Sequence, residues 1–175
     1  MNLQKTGRAN AGFTLIELII VIVILGILAV TAAPKLIDLT GDANKSTLNY
    51  AGAQLRSGAQ IVYAKAIIKG KASSESAALD TDNDGIDDIN IVYGYPAAIP
   101  AGGITSAMEE SFAIEWAWSG NTSSGVLYLT TSDIAGSSGS VSSPATVTGT
   151  ACYITYSSPT SNGASPTIGS TTTGC

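Results

Sequence analysis

The sequence predicts an α+β fold, in which a long, kinked N-terminal α-helix packs on an antiparallel sheet of three to five strands. An apolar run of 21 residues, Phe13 to Ala33, begins the helix. Beyond Pro34 the apolar residues recur every three or four positions, which continues a helical pattern. After residue 71 short apolar segments alternate with Ser-, Thr- and Gly-rich stretches, which is typical of strands and loops.

The charges divide the chain into two parts. The chain has 175 residues, 13 acids, 8 bases and no histidine, and all its bases lie within residues 1–71. Residues 1–71 therefore carry a formal charge of +5, and residues 72–175 carry −10. Without histidine there is no Ser-His or Cys-His catalytic pair, and a distal part without Lys or Arg suits nucleic acid poorly. We expect neither enzymatic activity nor a nucleic-acid partner.

The apolar run is long enough to cross a membrane. As a helix its 21 residues span about 31 Å, the thickness of the hydrocarbon core of a bilayer. Lys5 and Arg8 precede it and predict a cytoplasmic N-terminus. A cleaved secretory signal would have a shorter apolar core, and its one candidate cleavage site is followed by Pro34. A plain uncleaved anchor explains the length but leaves the carboxylate of Glu17 unexplained.

The residues Gly12-Phe13-Thr14-Leu15-Ile16-Glu17 resemble the type IV pilin signature. The resemblance implies that residues 1–12 are a leader, cut by a prepilin peptidase between Gly12 and Phe13, and that Phe13 is then N-methylated. It also implies that residues 13–34 form a membrane-spanning and assembly helix, with Gly26 and Pro34 as its helix-weakening positions.

Glu17 acquires a role from this resemblance. A carboxylate is favoured in the first turn of a helix by the helix dipole and the unpaired amides. In a filament it would neutralise the ammonium of a neighbouring subunit's Phe13, and the pair would act more as a check of register than as adhesion. The alternative is a charge that reaches the lipid headgroups.

Residues 35–71 are predicted to form an amphipathic helix, because Pro34 should kink the helix without ending it. The helix should end at Gly70, with Lys69 and Lys71 beside its negative end. Its predicted buried stripe comprises Leu48, Ala51, Leu55, Ala59, Val62 and Ala66.

The sheet is predicted within residues 112–157, after a connecting region, residues 72–111. Its strands are expected at residues 112–118, 126–131 and 151–156, with Phe112, Ile114, Trp116 and Trp118 on one face of the first. Residues 158–175 are Ser/Thr-rich and are predicted to form a surface loop.

Cys152 and Cys175 are the two cysteines of the chain. In an exported protein they would most simply pair, and free or intermolecular thiols are the alternative. The resemblance to pilins also implies a disulfide-bounded loop near the C-terminus.

Residues 80–88 concentrate five aspartates. Carboxylates at positions 1, 3, 5 and 9, with Gly85 at position 6, match the start of a calcium loop. The loop, residues 80–91, resembles the DxDxDG loops of thrombospondin-type and dockerin modules, but Ile91 stands where an EF-hand has its bidentate glutamate. A solvated acidic turn is the alternative. The predicted Ca²⁺ ligands are Asp80, Asp82, Asp84, the carbonyl of Ile86, and Asp88.

The predicted function is that of a pilin subunit that polymerises into an extracellular type IV pilus for attachment and adhesion. Several short segments, among them Gly94-Tyr95-Pro96-Ala97 and Gly174-Cys175, resemble the mannose-sensitive haemagglutinin pilins of marine bacteria. The implied partners are identical subunits, the prepilin peptidase, the assembly platform of the inner membrane, and a host surface, abiotic surface or glycan. The implied location is the inner membrane, then a pilus on a Gram-negative cell. A type II secretion pseudopilin and a non-polymerising, membrane-anchored calcium-binding domain are the alternatives.

Overall fold

The computed structural model describes residues 13–108, 111–121 and 125–175. The predicted leader, with Gly12, lies outside these described residues. The chain forms two compact units, one ending at Thr40 and the other comprising Gly41–Cys175. We call Gly41–Cys175 the head.

Helix α1, Leu15–Ile68, is the longest element and continues through Pro34, as predicted. The side chain of Pro34 lies outside the described part of the structure. In the first unit, the segment Leu15–Ala32 is long and apolar enough to cross a membrane, and its side chains are exposed.

The part of α1 that belongs to the head buries the predicted stripe, and each of its six residues is at most 3% exposed. Leu48 to Ala59 pack in the larger core cluster, and Val62 and Ala66 pack in a smaller one. The last helical residue is Ile68, and Gly70, predicted as the end of the helix, follows two residues later with a φ of +69°. The N–H of Gly70 donates to the carbonyl of Ile67, and that of Lys71 donates to the carbonyl of Ala66, which satisfies two terminal carbonyls.

A three-stranded antiparallel sheet lies where the sequence predicted a connecting region, and that prediction was wrong. Its strands are β1 (Ala77–Leu79), β2 (Ile89–Val92) and β3 (Tyr95–Pro96), in that order. Strands of two to four residues are too short to show an alternating pattern, which explains why the sequence did not reveal them.

The segment Phe112–Glu115 is a short helix, α2, so the strand predicted for residues 112–118 was wrong in its first half. Ile114, predicted to share one face with Phe112 and Trp116, is 74% exposed, whereas those two residues are buried. Phe112 and Trp116 are four residues apart, and their rings stack with centroids 5.4 Å apart. The spacing of these residues is therefore compatible with both a helix and a strand, and the stacked rings are consistent with the helical turn.

A second sheet has five strands in the order β6-β4-β5-β7-β8. Its neighbouring strands are antiparallel, except that β4 and β6 are parallel. The chain therefore has two described sheets where one was predicted. The strands are β4 (Trp116–Asn121), β5 (Val126–Thr131), β6 (Gly139–Ser140), β7 (Tyr153–Ser157) and β8 (Thr167–Thr171), with helices α3 (Ser132–Ala135) and α4 (Pro144–Thr148) between them.

Strand β8 corrects a further prediction, because it lies in the segment predicted to be a Ser/Thr-rich surface loop. It pairs with β7 over five positions, from Tyr153 opposite Thr171 to Ser157 opposite Thr167. Only Ile168 in this strand is a large apolar residue, so the composition concealed it.

Two hydrogen bonds join the two sheets. The buried hydroxyl of Tyr156 in β7 donates to the carbonyl of Pro96 in β3, at 2.9 Å. Just beyond these strands, the N–H of Ala98 donates to the hydroxyl of Ser158, at 2.7 Å. The sheets are therefore fixed to each other through polar as well as apolar contacts.

Candidate functional site

The acidic loop, residues 80–88, connects β1 to β2. The carboxylate of Asp80 organises it by accepting the N–H of Asn83 at 2.6 Å and the N–H of Gly85 at 3.1 Å. Asn83 and Gly85 have φ values of +68° and +93°, so both lie in the left-handed region that glycine and asparagine tolerate best. The Asp-Gly turn signal in the sequence corresponds to this tight backbone.

The loop brings three of its five aspartates together. Carboxylate oxygens of Asp80, Asp82 and Asp88 lie within 4.8 Å of one another. Asp84 does not belong to this group, and its carboxylate accepts the N–H of Ile86 at 2.7 Å. The side chain of Ile86 is 68% exposed. The arrangement offers a convergent set of hard oxygen atoms, the type of donor that calcium prefers.

Three lysines at and just beyond the end of α1 bond to this loop or to the strand that precedes it. Lys65 donates to the carbonyl of Thr81 at 2.6 Å, and Lys69 donates to the side-chain oxygen of Asn83 at 2.7 Å. Lys71 donates to the carbonyl of Ala78 at 2.5 Å. Sequence reasoning assigned Lys69 and Lys71 only to the helix dipole and missed these contacts. The four-residue spacing of Lys65 and Lys69, which places both on one helix face, was the signal that could have found them.

Hydrogen bonds within the loop favour the ionised form of two of the aspartates. Desolvation acts to raise the pKa of Asp80, but the N–H groups of Asn83 and Gly85 and the charge of Lys69 outweigh it and hold that pKa below its ordinary value. The N–H and hydroxyl of Thr81 lower the pKa of Asp88. Both groups therefore remain carboxylates at neutral pH.

Ile91, at the twelfth position counted from Asp80, is 1% exposed in the core. It lies in β2, opposite Ala77 on one side and Pro96 on the other. A glutamate here would place a charge between two strands, which explains in physical terms why the EF-hand pattern stops. A further ligand would have to come from another residue or from water.

The N-terminus of α1 is capped by reciprocal hydrogen bonds between Thr14 and Glu17. The N–H of Thr14 donates to Oε2 of Glu17 at 2.8 Å, and the Thr14 hydroxyl donates to the same oxygen at 2.8 Å. The N–H of Glu17 in turn lies 3.3 Å from the Thr14 hydroxyl oxygen. This is a capping box, and its signal, Thr-x-x-Glu, was present in the sequence but was not used.

The capping box holds the Glu17 carboxylate over the amino end of the helix, four residues from Phe13. Phe13 is 91% exposed. Gly26, halfway along the apolar segment, has open space around it, since a Cβ there would meet no atom within 4 Å. Of the predicted assembly residues, Glu17 and Gly26 therefore lie on the exposed surface of α1, and Phe13 lies two residues before its start.

Residues 7–33 match the family described as the prokaryotic N-terminal methylation motif. The chain carries a methylation motif. The matched segment contains Phe13, the capping box and the apolar segment of α1. The capped start of α1 therefore lies within the matched segment.

One curated relative is the type IV narrow pilus major component PilA5 of Thermus thermophilus, which is 48% identical over 60 residues. The aligned part is 34% of this chain and 48% of the relative, so the chain spans about half the length of the curated protein it matches. No solved structure matches the chain.

Outside the methylation motif, the head closes its C-terminal segment with the predicted disulfide. Cys152 and Cys175 are bonded, with an S–S distance of 2.07 Å, and both thiols of the chain are thereby accounted for. Cys152 is buried beside Thr130, whose hydroxyl donates to the Cys152 carbonyl at 2.6 Å. The closed loop carries β8 at the edge of the larger sheet.

Proposed function

We propose that the chain is a type IV pilin, a structural subunit that polymerises through the apolar segment of α1. The observation that carries this proposal is the methylation motif, placed on a capped helix whose apolar side chains are exposed throughout Leu15–Ala32. Such a surface needs lipid before assembly and the helices of other subunits after it. The proposed role assigns no catalytic residue.

The proposed maturation step is cleavage between Gly12 and Phe13 by a prepilin peptidase, followed by N-methylation of Phe13. Cleavage creates an ammonium four residues from Glu17. Within one helix the capping box already occupies the carboxylate of Glu17 with Thr14. In a filament the same carboxylate faces the ammonium of a neighbouring subunit, and neither charge remains uncompensated in an apolar environment.

The proposed location is the inner membrane of a Gram-negative cell before assembly and a surface pilus after it. In this proposal the assembly platform moves the subunit from the inner membrane into the pilus. The likeness of short segments to mannose-sensitive haemagglutinin pilins supports an adhesive pilus, with a host surface, an abiotic surface or a glycan as its target. The similarity to a pilus major component supports an abundant subunit.

Mass spectrometry of filaments sheared from the cell surface tests the pilin proposal. The filaments should contain this chain, beginning at N-methylated Phe13. The variant Glu17→Gln should still be cleaved but should yield far fewer filaments, whereas Glu75→Gln, an exposed head position, should assemble normally. Recovery of the chain only in membranes, with Met1 at its start, would refute the proposal.

We also propose that the acidic loop binds Ca²⁺ through Asp80, Asp82, Asp84, the Ile86 carbonyl and Asp88. The convergence of three carboxylates within 4.8 Å supports this proposal. Asp84 would have to exchange its contact with the N–H of Ile86 for the ion. Since Lys69 bonds to Asn83 beside the site, we expect an affinity below that of a complete EF-hand.

Calorimetry on a soluble fragment, residues 35–175, tests the calcium proposal. We expect binding heat at millimolar Ca²⁺ or below, and its loss in Asp82→Ala and Asp84→Ala. Asp133→Ala, in helix α3, is the matched control and should bind as the wild type does. If wild-type protein gives no heat at millimolar Ca²⁺, the loop is an acidic turn.

A further inference from the structure

Two grooves flank the buried stripe of α1 in the head. At about 100° per residue, the helix places Asn49, Ala53 and Arg56 on one side of the stripe and Tyr50, Gln54 and Ser57 on the other. We call these the arginine flank and the glutamate flank, after the charge that each one carries. The two flanks therefore lie on different faces of the same turns of α1.

The arginine flank is a groove of about 180 Å³ between α1 and strand β8. Gly52, Ile168 and Ser170 line it together with Arg56. Within residues 41–108, 111–120 and 125–175, Arg56 is the cation that makes no hydrogen bond or ion pair. The other four cations in that part of the chain are lysines, and each bonds to an oxygen atom of its own head. The Arg56 guanidinium is exposed and available to a partner.

The glutamate flank is a larger groove, of about 320 Å³, between α1 and the segment that leads into β4. Met108, Phe112 and Tyr50 give it an apolar lining, and Tyr50 is 65% exposed. Glu115, at its rim, is exposed, and its carboxylate makes no contact with a cation among the described residues. Among the described residues that line it, the groove therefore joins apolar surface to one negative charge without a cation partner.

We propose that these two flanks bind each other between neighbouring copies of this chain, with Arg56 of one copy paired with Glu115 of the next. Because the flanks are different surfaces on one subunit, the contact is head-to-tail, and repetition of such a contact gives an open helical polymer whenever the rotation between copies does not close a ring. Charge complementarity favours a second copy as the occupant. A guanidinium binds a carboxylate through two parallel hydrogen bonds, so the pair also fixes orientation.

The head's composition makes the pairing selective. Residues 41–175 contain eleven acids and only five cations, so two heads that approach at random repel each other. Pairing of Arg56 of one copy with Glu115 of the other gives one orientation in which the approach is favourable. The proposal rests on the proposed pilin function, because it requires that the copies be brought side by side.

Charge exchange in the full-length chain, expressed in pilus-assembling cells that lack their own copy, tests the proposal. Arg56→Glu and Glu115→Arg should each reduce the amount of sheared pilin by about tenfold or more, since each places like charges opposite one another. The double variant, Arg56→Glu with Glu115→Arg, should restore most of the yield. Lys45→Glu and Asp133→Arg carry the same charge changes outside the two flanks and should assemble as the wild type does.

The level of cell-associated chain with an intact disulfide, read on non-reducing gels, separates loss of assembly from loss of folding. Normal filament yield from either single variant would overturn the proposal and leave the pilin function standing. Failure of the double variant to recover, with normal levels of folded chain, would also overturn it and would favour another protein as the occupant. Absence of filaments in the wild type would refute the pilin function itself.

Discussion

Asp88 accepts two hydrogen bonds from Thr81, one from its N–H at 2.7 Å and one from its hydroxyl at 2.8 Å. The two residues lie at opposite ends of the acidic loop, next to β2 and β1. Their contact therefore closes the loop just beyond the paired strands β1 and β2. The N–H of Asp88 also donates to the carbonyl of Leu79 there. A carboxylate held in this way stabilises the fold only while it is ionised.

The stability of the head should decrease in acid as Asp88 and Asp80 become protonated. The folded state lowers the pKa of both groups from the ordinary value of 3.8. Their contribution is therefore complete above about pH 4 and is lost as the pH falls through the lower, folded-state values. Thermal unfolding of a soluble head fragment at pH 2–7 should show this decrease.

Asp88→Asn should reproduce the protonated state at every pH. Its melting temperature should lie below that of the wild type at pH 7, and the difference should shrink as the pH falls below 3.8. Asp133→Asn, outside the loop, is the control. A constant difference between wild type and Asp88→Asn across this range would contradict the prediction.

The hydrogen bond from Tyr156 to Pro96 should contribute to the union of the two sheets. Burial raises the pKa of Tyr156, so its hydroxyl remains a donor. Tyr156→Phe leaves the Pro96 carbonyl without this partner and should lower the free energy of unfolding by about 1–2 kcal/mol. Urea denaturation of the wild type and the variant measures this change in the free energy of unfolding. Tyr153→Phe, in the same strand but with a half-buried ring, should change stability by less than about 0.5 kcal/mol.

The long-range pattern of the helix was predictable because it repeats. Six apolar positions over five turns define one face, and the structure buries all six. The disulfide was predictable because an exported chain with two cysteines has one intramolecular pairing. The spacing of the apolar residues and the number of cysteines can both be read from the sequence without knowledge of the tertiary contacts.

The rest depended on contacts that no local pattern contains. Strands β1 to β3 are too short to show a period, and β8 is recognisable only through its pairing with β7. The lysines that bond to the acidic loop and to β1 are 7 to 16 residues away from the residues they contact. The predicted strand at Phe112 failed because ring stacking with Trp116 supports a helical turn equally well.

Loss of the disulfide should destabilise the head by about 3.5 kcal/mol, the loop-entropy value for a separation of 23 residues. The double variant Cys152→Ser/Cys175→Ser should therefore have a lower urea midpoint than the oxidised wild type. Dithiothreitol should shift the wild type toward that midpoint and leave the double variant unchanged. Equal midpoints for the oxidised wild type and the double variant would contradict the prediction.

The capping box at the start of α1 should protect the first turn of the assembly helix. Thr14→Val removes the hydroxyl that bonds to Glu17 while keeping the shape of the side chain. Loss of an N-cap of this type costs about 1 kcal/mol, so the amides of Glu17 and Leu18, which donate to the hydroxyl and the carbonyl of Thr14, should exchange about fivefold faster. Hydrogen exchange measured by NMR on a micelle-bound peptide, residues 13–40, gives this rate. Thr14→Ser should retain slow exchange, and Thr31→Val, in the middle of the helix, should leave the exchange rates of these amides unchanged. Equal rates in Thr14→Val and the wild type would show that the contact between Thr14 and Glu17 does not stabilise the first turn.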